Sequence, residues 1–128
     1  MLLSDYVKKV KNFFDKHSNP EEAEAMSKYM KYNFPFVGIP APKRKELFKV
    51  FFNTFPIPAY DETKAIVREL FNLPEREYHY FAVQMLLKHK KKWTPTDIVF
   101  FESLLLTKSW WDSVDLISSK VIGPFFVK

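Results

Sequence analysis

The sequence has no cysteine, two glycines and three histidines among its 128 residues. Without a thiol there is no thiolate nucleophile, no cysteine-based zinc site and no disulfide framework, a usage that fits a reducing compartment. So little glycine excludes the phosphate-cradling and dinucleotide-binding loops, which need several backbone positions without a Cβ, and disfavours glycine-turned hairpins. His17, His79 and His89 stand on separate segments without ligand spacing, so no metal site is expected. No apolar run approaches the roughly 18 residues of a membrane span, and Met1-Leu2-Leu3-Ser4-Asp5 is not a basic region followed by an apolar leader. These absences lead us to expect one soluble, cytoplasmic domain that uses no cofactor.

What is present suits a helical protein. Hydrophobic residues make up 47% of the chain, ample for a core, and 20 basic against 15 acidic residues leave a net charge of +5. That balance leans toward a polyanionic partner, because cations gain by releasing a phosphate's counterions. From Leu3 to about Lys16, Tyr6, Val7, Val10, Phe13 and Phe14 recur with helical period beside a lysine-rich exposed side. Asn19, Pro20, Glu21 and Glu22 then supply an N-cap, a first-turn proline and two acids suited to a helix start, predicting a second helix to Met30 or Lys31.

Residues 31–42 carry three prolines and Gly38, which exclude a regular helix, while Phe34, Phe36 and Ile39 are apolar enough to pin the stretch as an anchored loop. Pro42 opens a helix to about Phe55, with Leu47, Phe48, Phe51 and Phe52 inward and Lys43, Arg44 and Lys45 in the first turn. The helix dipole opposes cations there, so two readings stand: a solvated charged face, or a place where amides and cations meet one phosphate. Further helices are expected over Asp61–Asn72, over Glu75 to about Lys90 with Tyr78, Phe81, Ala82, Met85, Leu86 and His89 as its stripe, and from Thr94-Pro95 to Leu106. His89 reads as a capping or packing histidine, and the lysines from Lys88 to Lys92 as cations suited to a helix C-terminus.

The last expected helix holds the most unusual stretch, Ser109-Trp110-Trp111-Asp112-Ser113-Val114-Asp115. Trp110, Val114, Ile117 and Val121 form its core stripe, and Trp111 lies about 100° away with Asp115 stacked one turn on. An indole and a carboxylate on a face the core does not need are either a partly exposed packing pair or a π surface beside an anion, suited to holding a cation. The whole is about seven short helices with proline-marked breaks and no strand. Leu73 to Lys108 has the length of one helical-hairpin repeat, so an α-solenoid is expected. Gly123-Pro124-Phe125-Phe126-Val127-Lys128 lacks the polar cap a solenoid end requires, which suggests the N-terminal part of a longer repeat domain.

Three separated stretches carry a resemblance. Tyr29-Met30-Lys31 with Phe34-Pro35-Phe36-Val37-Gly38-Ile39 and then Pro42-Lys43-Arg44-Lys45, the triplet Arg76-Glu77-Tyr78, and Lys108-Ser109-Trp110-Trp111-Asp112-Ser113-Val114-Asp115 resemble, in order and spacing, the motifs of the AlkD-like DNA alkylation repair glycosylases. The resemblance implies an all-α fold of HEAT-like antiparallel repeats in a curved solenoid. It implies hydrolysis of the N-glycosidic bond of cationic N3- or N7-alkylated purines in duplex DNA, without extruding the base into a pocket. By the same resemblance Trp111 and Asp115 are catalytic, Lys43, Arg44 and Lys45 meet the DNA backbone, and Tyr29 lies on the same concave surface. Two departures follow. Pro40 and Ala41 replace donor-bearing residues, and the family's second site tryptophan and its arginine, supplied by later repeats, have no counterpart here. The competing expectation is a non-catalytic helical-repeat module that binds nucleic acid or protein.

Overall fold

The computed structural model describes residues 4–32 and 34–107, with side chains to residue 104. Among them are six α-helices and no strand: α1 (Asp5–Asp15), α2 (Pro20–Tyr29), α3 (Ala41–Thr54), α4 (Tyr60–Asn72), α5 (Arg76–Lys88) and α6 (Ile98–Thr107). The fold is all-α, as the periodicity implied. The expected seventh helix, with Trp110, Trp111 and Asp115, lies outside the described residues, as does the apolar stretch ending at Lys128.

The helix starts follow the chemistry of the caps. Ser4 accepts from the Val7 amide at 3.3 Å, and Asn19 Oδ1 accepts from the Glu21 and Glu22 amides at 3.1 and 3.2 Å. α2 ends with Lys31 and Tyr32 both at positive φ, 56° and 60°, a conformation that costs side-chain-bearing residues of order 1 kcal/mol each. The Tyr32 amide reaches back to the Ser27 carbonyl at 2.7 Å and closes that end.

An aromatic cluster joins α1, α3 and α5. Phe51 has Tyr6, Phe13, Phe55 and Phe81 rings at 5.7, 5.3, 4.8 and 5.2 Å, and Phe81 in turn meets Phe14, Phe48 and Phe52 at 5.5, 5.3 and 5.0 Å. Ring pairs of this kind, most of them edge-to-face, add to the area they bury. α1 runs antiparallel to α3, since Tyr6 near its start meets Phe51 and Phe14 near its end meets Phe48. α4 and α5 form an antiparallel hairpin, with Phe71 stacked on His79 at one end and Tyr60 against His89 at the other. α4 also contacts α1 and α6.

Two expectations are corrected. The helix foreseen from Glu75 to Lys90 stops at Lys88, and Lys90–Lys92 form a separate 3-10 turn. Nor does α5 bury a single stripe: Arg76, Glu77, Tyr78, His79, Phe81, Ala82, Val83, Met85 and Leu86 are all buried, because helices pack on several of its sides. Thr94-Pro95 starts a short 3-10 turn, Pro95–Asp97, before α6; there Asp97 accepts from the Thr94 amide at 3.0 Å, the Tyr60 hydroxyl at 2.7 Å and the Lys64 ammonium at 3.3 Å.

Candidate nucleic-acid interface

The loop between α2 and α3 is held by a carboxylate. Glu77, wholly buried on α5, accepts from the Val37 amide at 2.9 Å through Oε1 and from the Gly38 and Ile39 amides at 2.9 and 3.1 Å through Oε2. Three charge-assisted bonds to backbone donors offset the cost of burying an anion there. Its neighbour Arg76 is also fully buried; its guanidinium lies 4.2 Å over the Phe34 ring, Nη1 is 3.0 Å from His79 Nδ1, and its amide donates to the Pro35 carbonyl at 3.0 Å. His79 then donates from Nε2 to the Leu73 carbonyl at 2.7 Å, which leaves Nδ1 as the acceptor for Arg76. Two consecutive residues of α5 therefore fix the whole of residues 34–39.

The loop fixes α2 in its turn. α2 buries no residue fully, so its position depends on polar ties: the Asn19 amide to the Val37 carbonyl at 3.1 Å and the Ser27 hydroxyl to the Phe34 carbonyl at 3.2 Å. Gly38, at φ +103°, lies where a Cβ would come within 2.0 Å of the Asn19 carbonyl oxygen.

A groove of about 380 Å³ opens between the end of α2 and the start of α3. Tyr29, Met26 and Met30 line one side, Phe36, Pro40 and Ala41 the loop side, and Arg44 with Tyr80 of α5 the remainder. Tyr29 presents its ring to solvent, 75% exposed. The Arg44 guanidinium sits 4.3 Å from the centre of the Tyr80 ring, which Arg76 also approaches at 5.3 Å. This gives an apolar trough with an exposed aromatic ring and a cation over another, chemistry suited to an anionic phosphate beside an apolar group.

Of the residues singled out in the sequence, Tyr29 and Arg44 share this groove. Lys43 lines a neighbouring hollow of about 350 Å³ with Lys16, His17 and Ser18, and Pro40 borders both. Lys45 is exposed and lines neither. Trp111 and Asp115 lie outside the described residues. His89 packs as expected, with Nε2 3.1 Å from the Thr63 hydroxyl and its ring 5.4 Å from Tyr60. Among the described residues no group of three His, Asp or Glu side chains could hold a metal ion, and no helix is long and apolar enough to cross a membrane.

Sequence reasoning missed Tyr80 and the work of Arg76 and Glu77. The signal for Tyr80 was the one that isolated Trp111: an aromatic residue off the apolar stripe of its helix. Glu77 was marked only as part of the Arg76-Glu77-Tyr78 motif, and nothing in the local pattern points to partners that are backbone amides nearly forty positions away.

Comparison with known proteins identifies the family. The family model described as DNA alkylation repair enzyme matches residues 10–128. No curated protein sequence matches at a significant level. Among solved structures, the chain is similar to a predicted DNA alkylation repair enzyme from Enterococcus faecalis, with 35% identity and a TM-score of 0.69 over 77% of this chain and 46% of that one. The match thus spans less than half the length of that relative.

Proposed function

Since the chain belongs to the DNA alkylation repair enzyme family, we propose that it serves as a DNA N-glycosylase, or as the N-terminal part of one, releasing cationic N3- or N7-alkylated purines from duplex DNA. The observation that carries this reading is the placement of Tyr29 and Arg44 in one groove, with Lys43 beside it and the loop between them held by Glu77. Cations over an apolar trough suit a DNA backbone whose bases pass close to an aromatic edge. In this reading the helical hairpins continue as a curved repeat solenoid whose concave side meets the duplex.

The chemistry needs little apparatus. An alkylated purine already carries positive charge, so it leaves without a general acid, and the barrier lies in the charge that develops on the deoxyribose. Asp115 stabilises that cation and orients the attacking water; Trp111 packs against the sugar and the cationic base. No cofactor or metal takes part. Tyr29, Lys43, Arg44 and Lys45 hold the duplex in register. A module that binds DNA without cutting it has the same surface, and the two readings separate on product. Incubation of the protein with duplex DNA containing N7-methylguanine should release free base, more slowly with Arg44→Gln or Tyr29→Ala. Duplex binding with no base released would replace the glycosylase by the binding module.

A further inference from the structure

α3 and α5 run in the same sense along an aromatic seam at Phe81, and the two ends of that seam are each marked by a cation on an aromatic ring. Arg44, in the first turn of α3, lies over Tyr80 near the start of α5 at 4.3 Å; Lys88, the last residue of α5, lies over Phe52 near the end of α3 at 5.4 Å. Along α5 the residues that are not fully buried beyond Tyr80 are Gln84, Leu87 and Lys88, spaced i+4, i+7 and i+8 from it. They form one narrow solvent-facing stripe on an otherwise buried helix. That stripe begins in the groove of Tyr29 and Arg44 and ends about 12 Å further on at a hollow of about 580 Å³ lined by Leu87, Lys88, His89, Lys90, Lys91 and Lys92.

The helix dipole accounts for part of this cluster only. Its field falls off within the last turn, which contains Lys88, whereas Lys90–Lys92 form their own turn beyond the His89 cap. Lys88, Lys90, Lys91 and Lys92 are all exposed, and among the described residues no acid stands within ion-pair distance of any of them. The carboxylate of the following turn, Asp97, is already bonded to Lys64, Tyr60 and the Thr94 amide. Four like charges on five positions create a local positive potential that attracts an anion.

We propose that Lys88 and the Lys90–Lys92 turn form a second phosphate-backbone contact for duplex DNA, at the opposite end of the α3–α5 seam from Arg44. The proposal rests on the DNA-repair reading above and deepens it, since it fixes the direction in which the duplex crosses the surface: along α5, with Gln84 between the two cationic ends.

Equilibrium binding of the protein to a duplex oligonucleotide across a salt series tests this, using wild type, Lys88→Gln/Lys91→Gln, and the charge-matched Lys8→Gln/Arg68→Gln on α1 and α4. The lysine pair should lower affinity about five- to tenfold at low salt and flatten the slope of log affinity on log salt by about two; the α1/α4 pair should leave both near wild type. Duplex binding by wild type that the lysine pair leaves unchanged, or an equal loss in both double variants, would overturn the second contact while leaving the DNA reading intact. No duplex binding by wild type, or preference for single-stranded RNA, would overturn both. Circular dichroism of each variant confirms that a loss of affinity is not a loss of fold.

Discussion

At Gly38 a backbone φ of +103° and the Asn19 carbonyl, 2.0 Å from where a Cβ would stand, leave room for hydrogen alone. Gly38→Ala should therefore destabilise the fold by at least about 2 kcal/mol, read as a lower urea midpoint with unchanged slope. Glu77 occupies the other side of the same loop, and its exchange for Gln keeps the shape but turns an amide NH₂ toward backbone donors. Glu77→Gln should cost about 2 kcal/mol and speed amide exchange in residues 34–39 and in α2. Protection unchanged in α2 would show that the clamp does not hold that helix. Tyr6 makes a smaller test: its hydroxyl is buried without a partner among the described residues, and burial pushes its pKa up to about 12. Tyr6→Phe should be neutral or stabilising by up to about 1 kcal/mol in the same denaturation. At this scale the sequence was legible where one side chain meets its own neighbourhood, as at Asn19, and silent where a carboxylate serves amides from a distant segment.

Among the elements, α5 explains what the pattern could and could not convey. Its apolar stripe was readable, but nothing in the pattern marked Arg76, Glu77 and His79 for burial, since they serve the loop and α4 rather than the apolar stripe. The antiparallel α4–α5 hairpin ends in a pH-sensitive corner. Burial chiefly lowers the pKa of His89 below its usual 6.5; Lys92 adds to the effect and the Pro58 carbonyl opposes it. The folded chain thus takes up this proton less readily than the unfolded one, so the contribution is complete above pH 6.5 and drains away as the pH falls below it. Burial pushes Asp97 the other way, but the Thr94 amide, the Tyr60 hydroxyl and Lys64 together hold its pKa below the ordinary 3.8. Its contribution is lost at more acid pH, as the carboxylate is protonated. The thermal midpoint should fall in two stages on acidification, the first flattened by His89→Gln and the second by Asp97→Asn. A single-stage fall that His89→Gln leaves untouched would contradict the first assignment.

Over the whole molecule, the all-α class and the six helices among the described residues followed from proline placement and periodicity, whereas the parallel pairing of α3 and α5 did not, since contacts between helices some thirty residues apart leave no local trace. That pairing is what brings Tyr80 under Arg44 and gives Tyr29 its groove. The motifs nonetheless led to the family that residues 10–128 match. The proposed glycosylase reading gives Asp115 the catalytic role. It is tested most directly by measuring free-base release from N7-methylguanine duplex, in parallel with duplex affinity, for wild type and Asp115→Asn. The account predicts release by wild type, a loss of about a hundredfold or more in the variant, and affinity close to unchanged. Release undiminished in Asp115→Asn would contradict it.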